Sequence, residues 1–250
     1  MTLTCWESYG ITHTGKIRKI NQDAFLDLAD SQLWLVADGM GGHKDGEYAS
    51  NAIVDALTTF IPEQTLGPTV SGIHRKLQTI NQTLCDLAKK GEGQEIIGST
   101  AAILLAYNQY CVALWSGDSR IYLFRKGKLN QITVDHNYES FLIANGVSPE
   151  DIKAHPFAQS LTHAIGSDEE FFLEAKVQEI RPDDIFLLCS DGLNKEVADI
   201  EIESILQTTA IKEAVDQIME LCLLRGARDN VTVVVTHFIG RTHLVSANGT

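Results

Sequence analysis

Apolar positions along this chain recur with two different periods, and the switches between them divide it into blocks. Residues 4–11 and 23–28 are short mixed runs and 33–37 is a compact apolar one, a pattern that predicts strands. From residue 45 to 60 the period lengthens. Ala49, Ala52, Ile53, Ala56, Leu57 and Phe60 fall on one helical face, closed by Pro62. Ile73, Leu77, Ile80, Leu84 and Leu87 predict a second helix over 70–90.

The strand period then returns over 99–107, 110–115, 120–124 and 128–132. The connections between these runs are tight (Asn108-Gln109, Gly117-Asp118-Ser119, Lys126-Gly127), which predicts an antiparallel meander. Residues 135–166 follow neither period and carry Pro149 and Pro156, so an irregular flap over one edge is expected there. Two strands follow at 173–180 and 185–189, then a mostly helical stretch over 200–224 and a β-branched strand at 231–238. Strands and helices come in blocks and not as βαβ alternation. The fold class is therefore α+β, with antiparallel sheets covered by helices. No repeat, low-complexity tract or Pro/Ser-rich linker interrupts the 250 residues, so one domain over 1–240 is expected, with 241–250 as a polar tail.

Charge narrows the function classes. Twenty basic against 33 acidic residues give a net charge of −13, which disfavours binding to nucleic acid or an anionic membrane. An anionic substrate would need local cations. No apolar run is long enough to span a membrane, and the first residues lack the pattern of a secretory leader. The five cysteines are scattered, odd in number and without a CxxC pair, so small core residues in a reducing, cytoplasmic setting are expected.

The segment "LVADGMGGHKDGEYAS" (35–50) joins an apolar strand to a helix through a Gly-rich turn. It fits no nucleotide loop: a GxGxxG reading from Gly39 meets Lys44 where glycine is required, and the Walker pattern is absent. Its aspartate has company. "WLVAD", "VALWSGD" and "IFLLCSD" place Asp38, Asp118 and Asp191 at the ends of apolar strands, and "ARDNVTVVV" places Asp229 at the entrance of another. One such residue is commonly a turn or cap. Four, if the strand ends converge, demand cations. An all-oxygen set selects Mg²⁺ or Mn²⁺ over Zn²⁺, and glycine beside Asp38 would let a backbone carbonyl approach an ion.

Taken in order, "THTGKIRKINQDAF" (12–25), "LVADGMGGHKDGEYAS" (35–50), "GST" (98–100), "SGDSRIYLFRKGKL" (116–129), "DHN" (135–137), "LTHAIG" (161–166), "DDIFLLCSDGL" (183–193) and "ARDNVTVVV" (227–235) cover almost the whole chain. The sequence resembles bacterial metal-dependent Ser/Thr protein phosphatases of the protein phosphatase 2C type. The resemblance implies a four-layer αββα sandwich, two antiparallel sheets flanked by helices, with a metal centre at one edge. It implies that Asp38 bridges two Mn²⁺ or Mg²⁺ ions and that Gly39 adds its carbonyl. Asp191 and Asp229 would hold the first ion, and Asp118 with Asp191 a weaker third. Asp23 would stand behind the ligands, and Arg18 would grip the substrate phosphate. Asp38, Asp191 and Arg18 would thus carry catalysis, with a metal-bridging hydroxide attacking phosphorus in line. The expected partners are phosphorylated proteins, opposed to a bacterial Ser/Thr kinase, with the enzyme a monomer.

Two positions depart from the pattern. Gln22 stands where many relatives have glutamate, and Met40 where eukaryotic relatives carry a histidine proposed as general acid. A water on the third ion near Asp118 is the expected proton source instead, with His43 read as a surface or capping residue. "CLLRGAR" (222–228) satisfies the C-x5-R spacing of cysteine phosphatases, but Cys222 falls in a helical run and is expected to be inert. His136, His155 and His163 are read as local hydrogen-bonding residues, and His155-Pro156 resembles a flap feature of the family that would shape substrate access and not chemistry. The rival readings are a catalytically silent phosphoprotein-binding scaffold, which the intact aspartates and Arg18 argue against, and a small phosphoester hydrolase.

Overall fold

The computed structural model describes residues 2–42, 44–90 and 96–243. Eleven strands and seven α-helices lie among them: β1 (Thr2–His13), β2 (Asp23–Leu28), β3 (Leu33–Met40), α1 (Asp45–Thr58), α2 (Leu66–Lys90), β4 (Gly98–Ser99), β5 (Ala101–Tyr107), β6 (Tyr110–Ser116), β7 (Arg120–Arg125), β8 (Lys128–Gln131), α3 (Tyr138–Ala144), α4 (Pro149–Ala154), β9 (Glu174–Glu179), β10 (Ile185–Cys189), α5 (Asp191–Asn194), α6 (Asp199–Thr208), α7 (Ile211–Arg225) and β11 (Val231–His243).

The strands form two antiparallel sheets, ordered β1-β11-β10-β7-β8 and β2-β3-β5-β6-β9, with the short β4 paired to β3. Alternation decides which side chains meet. Trp34, Val36, Ala102, Leu104 and Trp115 of one sheet pack against Ile121, Leu123, Phe186, Leu188 and Val234 of the other. Trp6 from the edge of the first sheet closes this layer, its ring 4.9 Å from Trp34 and 5.0 Å from Phe238. The opposite faces are covered by helices. Leu33, Leu35, Ile103 and Leu105 meet Ile53 and Leu57 of α1 and Ile73, Leu77 and Leu84 of α2. On the far side Tyr122, Leu187, Val233 and Val235 meet Ile202 of α6 and Ile218 and Cys222 of α7. This is the four-layer αββα sandwich expected, with an apolar layer at each interface.

Four details correct the sequence reading. β5 to β8 are not one meander, because β6 belongs to one sheet and β7 to the other. The chain changes sheets at Gly117, whose φ of +105° few side chains tolerate and where a Cβ would lie 2.6 Å from Thr100 Cγ2. α2 begins at Leu66, four residues early, with Pro68 in its first turn, where a missing N–H breaks no helical bond. The flap contains α3 and α4, capped by the side chains of Asn137 and Ser148. β11 runs on to His243, so the first three positions of the expected tail are strand, and 244–250 lie outside the described residues.

Candidate metal centre

At one edge of the sandwich strand ends from both sheets converge, and several deliver a carboxylate. Asp23 opens β2 and Asp38 lies near the end of β3, where the antiparallel register sets them directly opposite each other. Like charges so placed repel. On the other side of Asp38 the register carries through Gly39–Ser99 and Val36–Ala102, which puts Thr100 beside it. Thr100 Oγ1 accepts the Asp38 N–H at 3.0 Å, while the Thr100 N–H and Ser99 Oγ donate to the Asp38 carbonyl at 2.9 and 3.0 Å. The backbone of Asp38 is therefore held at both its N–H and its carbonyl, from the Ser99–Thr100 side. Asp118 sits in the sheet-changing turn, Asp191 two residues beyond β10, and Asp229 two residues before β11.

A cleft of about 310 Å³ opens here, lined by Arg18, Gln22, Asp38, Gly39, Met40, Gly41, Thr100, Asp118, Gln159, Leu161, Asp191, Asp229 and Asn230. Burial and mutual repulsion govern its protonation. Asp38 is pushed well above the usual carboxylate range, first by burial and then by Asp23, Asp191, Asp118 and Asp229. Burial, then Asp191 and Asp135, raises Asp118 to about 7. Asp23 rises to about 6 through burial, although hydroxyls hydrogen-bonded to its carboxylate oppose the shift. Asp191 is raised by burial, against the pull of Lys195. Asp229 alone of the five moves down: burial works to raise it, but the Arg18 hydrogen bond and the charges of Lys195 and Arg18 outweigh that.

Do these residues suit divalent cations? Asp191 Oδ1, on the cleft wall, is buried with no hydrogen-bond partner, a lone pair that a cation would satisfy, and Asp23 Oδ1 is likewise buried and unpartnered. Among the described residues neither histidine nor cysteine lines the cleft, so the donors are hard oxygens suited to Mg²⁺ or Mn²⁺. Among those same residues no three acidic, histidine or cysteine side chains are closed into a finished cage. Repulsion and protein cations account for that: Arg18 grips Asp229 with Nε at 2.9 Å and Nη2 at 3.1 Å, and Lys195 pairs with both Asp191 and Asp229. The donor set fits the ions.

The cleft gathers Arg18, Asp38, Gly39, Asp118, Asp191 and Asp229. Asp23 lies behind them, its Oδ2 accepting from Ser190 Oγ and Thr232 Oγ1, both at 2.7 Å. It thereby ties β2 of one sheet to β11 of the other. Gly39 has a packing reason to be glycine besides any approach to an ion: a Cβ there would lie 1.9 Å from the Gly46 carbonyl oxygen at the start of α1. His136 accepts the Gly117 N–H at Nδ1 (3.2 Å) and pairs with Glu174 at Nε2 (3.0 Å), a local structural role as expected. His155 and His163 pack on Tyr138 and Phe172. Cys222 is buried in α7, and burial pushes its thiol up to about 11, against the needs of a thiolate nucleophile. His43 lies outside the described residues.

Sequence reasoning missed three residues. Lys195 was signalled only by its i,i+4 spacing from Asp191. Thr100 stood inside the "GST" segment without an assigned task. Asn230 accepts the Gln22 N–H at 2.9 Å and donates to the Thr14 and Ile20 carbonyls at 2.8 and 3.0 Å, securing the loop that carries Arg18. No periodicity announces such a side chain.

The family model described as protein phosphatase 2C matches residues 13–231. The serine/threonine protein phosphatase PstP of Mycobacterium tuberculosis is 34% identical over 227 residues, which are 90% of this chain and 43% of PstP. The chain thus spans less than half the length of that relative. The serine/threonine phosphatase stp of Listeria monocytogenes is 32% identical over 234 residues, 90% of this chain and 92% of that protein. A crystal structure of the PstP catalytic domain in complex with 2 manganese ions superposes with a TM-score of 0.82 at 31% identity, covering 94% of this chain and 99% of the other.

Proposed function

The chain belongs to the protein phosphatase 2C family, and from that premise we propose that it is a metal-dependent phosphatase of phosphoserine and phosphothreonine in proteins. One observation carries the reading: Asp38, Asp118, Asp191, Asp229 and Arg18 line a single cleft at the meeting of the two sheets. Relatives bearing the names of serine/threonine phosphatases support the reaction class over a silent scaffold or a small-ester hydrolase.

Asp38, the Gly39 carbonyl, Asp191 and Asp229 would hold two ions, and Asp118 with Asp191 a weaker third. The manganese complex of PstP supports Mn²⁺, and the hard donor set admits Mg²⁺. Bound there, the ions would supply a hydroxide nucleophile near neutral pH and neutralise phosphate charge. The protein's own residues do the rest. Thr100 and Ser99 lock the Asp38 backbone, so its carboxylate faces the cleft without reorganising. Asp23 steadies the strand ends behind it. Arg18, with 53% of its side chain exposed, can exchange one carboxylate oxygen of Asp229 for a phosphoryl oxygen and orient it for in-line attack. Met40 has no proton to give, so protonation of the departing alkoxide falls to solvent in the cleft. Gln159 and Leu161 bring the flap to the rim, where it would touch residues flanking the phosphorylated side chain. The substrates proposed are targets of a bacterial Ser/Thr kinase, met by a monomer. Five free cysteines, four of them buried, support a reducing cytoplasmic setting.

Turnover of a phosphothreonine peptide with Mn²⁺, with and without EDTA, tests the reading in wild type and Asp191→Asn. Both chelation and the substitution should remove at least about 99% of the rate, an effect of about 100-fold or more. Activity surviving both would sink the metal mechanism.

A further inference from the structure

Lys195 follows one turn after Asp191, and its ammonium contacts carboxylates from two elements. It pairs with Asp191 Oδ2 and, at 3.3 Å, with Asp229 Oδ2. The other oxygen of Asp229, Oδ1, is taken by Arg18 Nε at 2.9 Å and by the Asn230 N–H at 3.0 Å. The two carboxylates assigned to the first ion are therefore bridged by a protein cation. Asp191 Oδ1 stays open to an ion, and Asp229 Oδ2 is shared with Arg18 Nη2 at 3.1 Å. But a lone pair directed at an ammonium is not free to coordinate, and a divalent ion held between the two carboxylates would repel the ammonium beside them.

We infer that Lys195 is an internal counter-cation: it holds Asp191 and Asp229 together in the metal-free protein and must withdraw when an ion binds them. A place to withdraw to is present. Lys195 is 39% exposed and also lines a neighbouring cleft with Arg18, Glu196, Arg228 and Asp229. Its flexible four-carbon stem can carry the ammonium there with no movement of the backbone. Two opposed effects follow. The lysine stabilises the empty site by neutralising carboxylates that would otherwise repel, and it weakens ion uptake because a bound ion repels the ammonium and its two ion pairs are lost as it withdraws. It is a positioning residue for the ligands and does not touch substrate. The inference rests on the reading that Asp191 and Asp229 are metal ligands.

Calorimetric titration of Mn²⁺ into EDTA-stripped, dialysed protein tests it, with wild type, Lys195→Met, Lys195→Arg and Asp191→Asn side by side. Lys195→Met keeps the stem and loses the charge. It should bind Mn²⁺ roughly tenfold more tightly than wild type, the size of two partly exposed ion pairs, and melt at a lower temperature in EDTA. Lys195→Arg should stay near wild type on both readouts. Unchanged or weaker binding by Lys195→Met overturns the inference. If Asp191→Asn instead binds Mn²⁺ as wild type does, the ligand assignment itself has failed, a separate outcome. Labelling of wild type by acetic anhydride, read by mass spectrometry, needs no variant: Mn²⁺ should raise modification of Lys195 several-fold, and unchanged or reduced modification also overturns the inference.

Discussion

Asp23 has one carboxylate oxygen holding two hydroxyls and the other buried with no partner. In the metal-free protein burial raises its titration, and the two hydroxyl bonds only partly oppose that. Folding raises Asp23 to about 6 and Asp118 to about 7, so between about pH 4 and 7 the folded chain keeps protons the unfolded chain has released. Stability of the EDTA-treated protein should therefore fall as pH rises through that window. Asp23→Asn keeps an acceptor for Ser190 and Thr232 but carries no charge. It should flatten the slope and stabilise the metal-free protein at about pH 8. Asp23→Ala leaves two buried hydroxyls without their acceptor and should cost about 1–3 kcal/mol. Urea titrations at about pH 5 and 8 check both variants, and a slope unaltered in Asp23→Asn would contradict the assignment. At this scale the sequence was most informative where chemistry forces a residue type. Carboxylates ending apolar strands stand out because burial is costly without compensation. Thr100, Asn230 and Lys195 act through geometry that only folding creates.

Among the elements, β2 and β10 were legible to the residue, β10 because Asp184 and Ser190 bound its apolar run sharply. The division of β5–β8 between two sheets was not. Alternation tells which face is buried but not which sheet a strand joins. α3 escaped notice for a different reason: it buries no residue, and α4 buries only Ile152, so neither carries an amphipathic stripe. The flap instead hangs from polar anchors. Arg120 on β7 forks onto Asp135 through Nε at 3.0 Å and Nη2 at 2.7 Å, and donates to Tyr122 Oη at 2.9 Å. Arg120→Ala would leave Asp135, whose side chain is only 9% exposed, with its charge uncompensated. A loss of about 2–4 kcal/mol is expected, with faster proteolysis between residues 138 and 160. Cleavage at the wild-type rate would show that the flap is anchored elsewhere.

Over the whole molecule, a net charge of −13 is concentrated to special effect where four carboxylates line one cleft with a fifth, Asp23, behind them. Cations there relieve repulsion that no rearrangement of a folded sandwich can escape. Mn²⁺ at about 100 times its dissociation constant should raise stability by about 2.7 kcal/mol per site. The gain should be largely lost in Asp191→Asn, as melting curves with and without the ion would reveal. An equal gain in both proteins would mean that the ion acts elsewhere. The tie from Asp23 to Ser190 and Thr232 has a consequence for the order in which the molecule is made. One sheet brings Asp23 and Asp38 and the other is flanked by Asp191 and Asp229, so a chain whose sheets have not yet met possesses two half-sites and no whole one. Ion capture is then a clock that starts only when the sandwich shuts. Manganese added during refolding would slow later unfolding without hastening the approach of the sheets.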